Sequence, residues 1–430
     1  MNVIAVIILC AVILDVIIHI TADFLNLKML EGELPDSFKG VYDEDRYRQS
    51  QAYLRVNTRF GWITSTFNLV IMLVFWFGKG FPALDAWVRS FDRGTLVSGL
   101  LYIGALMLAY AILNQPFAAY ATFVIEERFG FNRTTWKTYA VDLVKGVLLS
   151  LILGGPLLAG ILAFFEYAGH TAWIYCWVIV VIYMFIIQFI APTWIMPLFN
   201  KFTPLEEGEL KSAILSYAQS IRFPLKNVYV MDGSKRSSKS NAFFTGFGNH
   251  KRIVLFDTLI AQQTVPELVA VLAHEMGHYK KKHILRGMLI NTLQTGVMFY
   301  LLSLFISYPG LFDAFYMDQP SVYAGLIFFG MLYSPIDFFM GVFLQHLSRK
   351  NEYQADAYAV GTTGNPGAMI DALKKLSVNN LSNLRPHPLY VFLNYSHPPV
   401  LKRIEAIAHT GNTRHHENTK EQKHEKTAQG

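Results

Sequence analysis

Seven stretches of the chain are apolar for long enough to cross a bilayer, whose hydrocarbon core of about 30 Å takes roughly 20 residues of helix. They lie at Val3–Phe24, Trp62–Phe77, Leu96–Leu113, Leu143–Phe165, Ala172–Trp194, Ile284–Tyr308 and Ala324–Leu347. The second is short, which predicts tilt or extension at an end. The first has no basic residue ahead of it and no small-residue cleavage site behind it, so it is expected to be a retained span rather than a removed leader. Polar patterning returns at length in two places, 196–283 and from 348 onward. The first of these opens with a helical run, Glu206–Ile221, followed by three β-rich runs, Val228–Met231, Ala242–Thr245 and Arg252–Phe256. Turn residues such as Asp232-Gly233 and Gly246–Asn249 separate them, and a small antiparallel sheet is the simplest expectation. Val265–His283 then reads as helix, with Pro266 suited to its first turn.

The expected fold class is therefore a mainly α-helical polytopic membrane protein with a cytoplasmic α+β domain. Five spans and their loops fill 1–195, and two more spans fill 284–347. The extramembrane domain is split between 196–283 and 348–408, and 409–430 is polar, aperiodic and expected to be a disordered tail. Lys and Arg set the orientation. The 1–2, 3–4 and 5–6 connections and the C-terminal part carry nearly all of them, and the 4–5 and 6–7 connections carry none. The positive-inside rule then places the N-terminus outside and both polar regions in the cytoplasm.

Composition sharpens this. Charged residues make up 16 % and hydrophobic ones 53 %, and the mean hydropathy is +0.30, against about 25 % charged residues in a soluble domain. Two cysteines, Cys10 and Cys176, rule out a disulfide framework and a thiolate zinc site. No basic block interleaved with aromatics accompanies the net charge of +6, so nucleic acid is not an expected partner. Asp15 and His19, with Gln188, Asn291, Gln294 and Asp337, fall at membrane depth. Asp15 and His19, four apart, share a helix face. They read equally well as a satisfied inter-helix pair or as the wall of a hydrated chamber.

The chemistry gathers in His274-Glu275-Met276-Gly277-His278. Residues four apart stack on one helix face, so both imidazoles can reach one Zn²⁺, and Glu275 can take a proton from activated water and hand it to a leaving amine. Two polar-face histidines on an amphipathic helix are the bland alternative. The preceding Leu268–Ala273 run is apolar, however, and unpaired imidazoles in a buried helix are costly. After the seventh span, Glu352 and Asp356 again stand four apart. Glu352 can supply the third ligand and Asp356 can hold the free ring nitrogen of a ligand histidine. Alone they would read as a solvated acidic face. His397, ahead of Pro398 and Pro399, is stiff enough to donate to a developing oxyanion, or else it caps a surface turn. Asn241-Ala242-Phe243-Phe244 is an edge strand for an extended peptide, or else an ordinary packed strand.

Together these motifs resemble the type I CaaX prenyl proteases, integral-membrane zinc endopeptidases. The resemblance covers nearly the whole chain through the seven spans, the Glu126–Tyr139 run (EERFGFNRTTWKTY), Asn241–Gly246 (NAFFTG), HEMGH, NEYQAD and Ser396–Ile404 (SHPPVLKRI). It implies one zinc ion held by His274, His278 and Glu352, with Glu275 as base and acid and Asp356 orienting a ligand histidine. His397 and Arg403 line the site, and Asn241, Ala242, Phe243 and Phe244 hold substrate backbone. It also implies spans arranged around a hydrated intramembrane chamber and removal of the last three residues after a prenylated cysteine. A quality-control metallopeptidase that ignores prenyl groups would carry the same zinc site. The short 6–7 connection and the final Thr427-Ala428-Gln429-Gly430, which is no retrieval signal, favour a bacterial inner membrane over the endoplasmic reticulum.

Overall fold

The computed structural model describes residues 1–30, 33–245 and 251–410. The turn expected at Gly246–Asn249, and all but the first two residues of the expected tail, lie outside them. Seven helices are long and apolar enough to cross a membrane: Val3–Lys28, Glu44–Phe77, Gly94–Glu126, Trp136–Tyr167, Gly169–Phe199, His283–Phe305 and Val322–Thr363. Each expected span lies within one of them, apart from three residues at the C-terminal end of the sixth. The short second run is extended at its start, as a polar helical prefix. At 1.5 Å per residue, the 42-residue seventh helix is about 63 Å long, twice the membrane core. Its last turns must therefore project beyond the bilayer, and they carry Glu352 and Asp356.

Connections alternate between two ends of the bundle. At one end Trp76 Nε1 donates to Ala314 O (2.8 Å) and Asn2 Nδ2 to Gly310 O (2.5 Å). There Tyr323 also hydrogen-bonds Asp85 on the short helix Gly80–Arg89 between spans two and three. Around these ties sits the membrane core, with Trp76, Phe81, Tyr102, Phe312, Phe315 and Phe328 buried. Both cysteines sit in apolar runs that would be expected to pack, and Cys176 does so, whereas Cys10 is exposed. Asp15, Asn291 and Asp337 are accessible rather than buried between helices. Asp15 lies 3.5 Å from His19, whose ring meets Phe338 of the seventh span edge-on.

The other end carries the α+β domain. Its sheet has four strands, β1 (Phe202–Pro204), β2 (Leu225–Met231), β3 (Ala242–Thr245) and β4 (Lys251–Phe256), in the order β1-β2-β4-β3. The purely antiparallel sheet is corrected here: β2 and β4 run parallel, while β1 and β3 flank them antiparallel. Because β3 follows β2 in sequence yet pairs beyond β4, it forms an edge of the sheet. The helix expected at Glu206–Ile221 spans Glu209–Ser220, and that expected at Val265–His283 ends at Lys280.

The Glu126–Tyr139 run fastens this domain to the spans. Lys239 Nζ lies 2.8 Å from both Tyr53 Oη and Glu126 Oε2, and Tyr53 closes the triangle with a hydrogen bond to Glu126. Arg236 forks onto Asp142 through bonds of 2.7 and 2.9 Å. Backbone bonds from Arg133 to Arg236 (3.0 Å) and from Ser238 to Phe131 (3.0 Å) complete the bracket. The segment leading into β3 is thus held by the second, third and fourth spans.

Candidate metal centre and active site

The helix Val265–Lys280 begins with a reciprocal cap between Thr264 and Glu267 and with Pro266 in its first turn. Lys375 meets the Glu267 carboxylate at 2.8 Å. Leu268, Ala270, Val271, Leu272 and Ala273 are buried, so the helix enters the core with its apolar side and carries its histidines inward. Its partner is the end of the seventh span. At their crossing, a Cβ on Gly277 would come within 3.2 Å of the Ala355 backbone. Glycine therefore permits the close approach that brings Glu352 to the two histidines.

The donor atoms converge. His278 Nε2 lies 3.1 Å from His274 Nε2 and 3.2 Å from Glu352 Oε1, and His274 Nε2 lies 3.4 Å from Glu352 Oε2. A tetrahedral ion with bonds of about 2.0–2.1 Å separates its ligand atoms by about 3.3 Å, so this set fits a zinc-sized cation. Glu352 Oε2 is buried without a hydrogen-bond partner. Such an orphan is costly, and a cation at the centre of the three donors satisfies it.

Each remaining atom has an assignment. Asp356 Oδ1 accepts from His274 Nδ1 at 2.8 Å, which leaves His274 Nε2 free to ligate. Arg403 clamps Asp356 through Nε to Oδ2 (2.8 Å) and Nη2 to Oδ1 (2.6 Å), and its Nη1 lies 3.5 Å from Glu352 Oε2. Arg403 reaches inward from the helix 400–410, which starts directly after Pro399. Glu275 is half-buried beside the cluster. Burial pushes its carboxyl above the ordinary range, and the His274 and His278 charges pull it back less strongly. That direction suits a proton carrier at neutral pH. His397 has its Nδ1 bonded to Ser396 Oγ (2.8 Å) and its Nε2 3.5 Å from Glu352 Oε1. It is 62 % exposed and stands on the open side of the cluster.

The β3 edge runs along the same helix. Ala242 is buried, Phe243 meets Phe256 edge-on, and Phe244 packs against Phe223 and Tyr279. The Asn241 side chain is exposed, and its Oδ1 accepts the Ala242 N–H at 2.8 Å. Among the described residues, no strand pairs with the outer edge of β3. The structure thus brings His274, Glu275, His278, Glu352, Asp356, His397 and Arg403 together, and sets Asn241–Phe244 beside them. The sequence reading missed His283, Gln354 and Gly277. HEMGH contains Gly277, and only its contact with Ala355 shows why a side chain is excluded there.

Comparisons with known proteins agree with this geometry. Residues 23–201 match the model of the CAAX prenyl protease N-terminal region of five membrane helices, and residues 204–411 match peptidase family M48. A CAAX prenyl protease 1 homolog of Arabidopsis thaliana is 36 % identical over 91 % of this chain and 95 % of its own length. CAAX prenyl protease 1 of Saccharomyces cerevisiae is 34 % identical over 88 % and 89 %. The crystal structure of S. mikatae Ste24p superposes with a TM-score of 0.89 at 33 % identity, covering 95 % of this chain and 99 % of that one. All three come from eukaryotes, so they lend nothing to the bacterial placement expected from the short 6–7 connection. Matches of this extent, over a helix crossing that assembles two histidines and a glutamate, show that the chain belongs to the CAAX prenyl proteases of peptidase family M48 and is a membrane-embedded metalloendopeptidase.

Proposed function

We propose that this chain hydrolyses the peptide bond after a prenylated cysteine and releases the C-terminal tripeptide, using one Zn²⁺ held by His274, His278 and Glu352. The observation that carries this reading is the convergence of His274, His278 and Glu352, whose ligand atoms lie within 4.8 Å of one another, with one Glu352 carboxylate oxygen orphaned. When bound, the ion supplies Lewis acidity, which brings the pKa of water to about 7 and polarises the scissile carbonyl. Glu275 takes the proton from the attacking water and delivers it to the leaving amine. His397 Nε2 donates to the carbonyl oxygen as charge develops there. Asp356 and Arg403 hold His274 at its bearing. Asn241–Phe244 receives the substrate backbone along the free β3 edge. The N-terminus lies outside, and the peptidase parts, 196–283 and 348–408, lie in the cytoplasm.

His274 makes metal binding pH-dependent. Burial opposes its charge, but the hydrogen bond to Asp356 and the nearby Glu352 carboxylate prevail and raise its pKa to about 9 in the metal-free protein. The folded protein therefore holds that proton at neutral pH and must release it to ligate. Zinc binding at neutral pH is expected to release about one proton per ion, with affinity falling up to tenfold for each unit of pH below 9. Calorimetry in buffers of differing ionisation heat measures this. Binding without proton release would refute it.

The substrate is tested on detergent-purified protein by measuring zinc per chain and cleavage of a farnesylated CaaX peptide beside its unprenylated twin. One zinc with selective cleavage of the farnesylated peptide is the expected result. Equal cleavage of both peptides would instead indicate a quality-control peptidase indifferent to the prenyl group.

A further inference from the structure

We propose that His283 and Gln354 are positioning residues that fix the tautomer and the aim of the second metal-binding imidazole, His278. This inference rests on the zinc reading above. His278 and His283 are five apart, which on a continuous helix would turn them about 140° away from each other. The chain avoids this by ending one helix at Lys280 and starting the next at His283, with Lys282 in the left-handed region (φ 60°) between them. That break swings His283 back under His278, with ring centroids 5.1 Å apart and planes at 74°.

The atoms then allow one proton arrangement. His278 Nε2 faces the other donors, so as a ligand it holds a lone pair and its proton sits on Nδ1. That nitrogen lies 3.1 Å from His283 Nδ1, which must accept. The single proton of a neutral His283 is therefore on Nε2, and it points at Gln354 Oε1, 3.0 Å away. Gln354 is on the seventh span, two residues beyond Glu352. His283 itself is 6 % exposed, so water does not substitute for either contact. The two histidine ligands are thus held by different means. His274 leans on a carboxylate clamped by arginine, and His278 leans on a neutral His–Gln relay that links the sixth and seventh spans.

The test titrates zinc-loaded, full-length protein with a chelator and records the visible spectrum of the cobalt-substituted form. His283→Ala is expected to weaken zinc binding 10–100-fold, the usual effect of removing such a partner, and to shift the cobalt bands. His283→Asn places a carbonyl oxygen where Nδ1 lies, and is expected to restore affinity to within about threefold and to return the bands. Thermal melting of the metal-free variants controls for folding. Wild-type affinity in His283→Ala would overturn the inference, as would failure of His283→Asn to improve on alanine while both melt like the parent. Should neither His283 variant fold, Gln354→Leu decides. Weakened zinc binding with an unchanged melt supports the relay, and unchanged binding refutes it. A parent protein that binds no zinc would overturn the metal-site reading itself, a result separable from the others.

Discussion

Glu275→Gln is expected to cut peptide hydrolysis by about 10²–10⁴-fold, or about 3–5 kcal/mol in the barrier, while leaving one zinc per chain. The amide matches the carboxylate in shape but cannot take a proton. Glu275 lies on the ligand helix next to His274, yet none of the three converging donor atoms belongs to it. Metal content should therefore stay at the parent level while turnover collapses. Glu275→Asp separates position from chemistry. It keeps the acid but withdraws it by one methylene, so part of the rate should survive. Parallel measurement of kcat and zinc per chain checks this. A Gln variant that cleaves within threefold of the parent would remove Glu275 from the proton path, and one that loses its zinc would make it a structural support.

Elements whose signal is local were legible in the sequence. Apolar runs of span length and a four-residue histidine spacing each announce themselves within one helix, and all of them occupy the expected places. Glu352 and Asp356 were readable for the same reason, since their spacing is helical although their partners are some 80 residues away. What escaped depends on chain reversals. Strand β1 is three residues long, too short for any periodicity. The parallel pairing of β2 with β4 follows from a crossover that strand composition does not encode. His283 falls out of register with HEMGH, and only the left-handed Lys282 restores it. The Lys239–Tyr53–Glu126 triangle joins three segments that are individually unremarkable. The resemblance flagged Glu126 and its neighbours, but only the fold shows that they brace the segment leading into β3.

Arg403→Leu is expected to destabilise the protein by about 3–5 kcal/mol, the usual effect of stripping one partner from a buried ion pair. Arg403 is 8 % and Asp356 2 % exposed, and the fork between them has no solvent to fall back on. Without the guanidinium, Asp356 retains only His274, and Glu352 loses a nearby cation. A buried carboxylate left unpaired is costly, and protonating it would remove the acceptor that aligns His274. Arg403→Lys should rescue little, because one ammonium cannot reproduce two parallel N–H bonds. The double variant Arg403→Leu/Asp356→Leu separates the two duties of the pair. Replacing both charges with apolar side chains removes the desolvation cost, so the melting temperature should recover much of what the single variant lost. Zinc binding should not recover, because His274 Nδ1 then has no carboxylate to donate to. Thermal melting and chelator titration on the same preparations read both quantities. A single variant that melts with the parent would show that the pair contributes no net stability. A double variant that regains full zinc affinity would show that His274 needs no second-carboxylate support, and the clamp would then serve the fold rather than the metal.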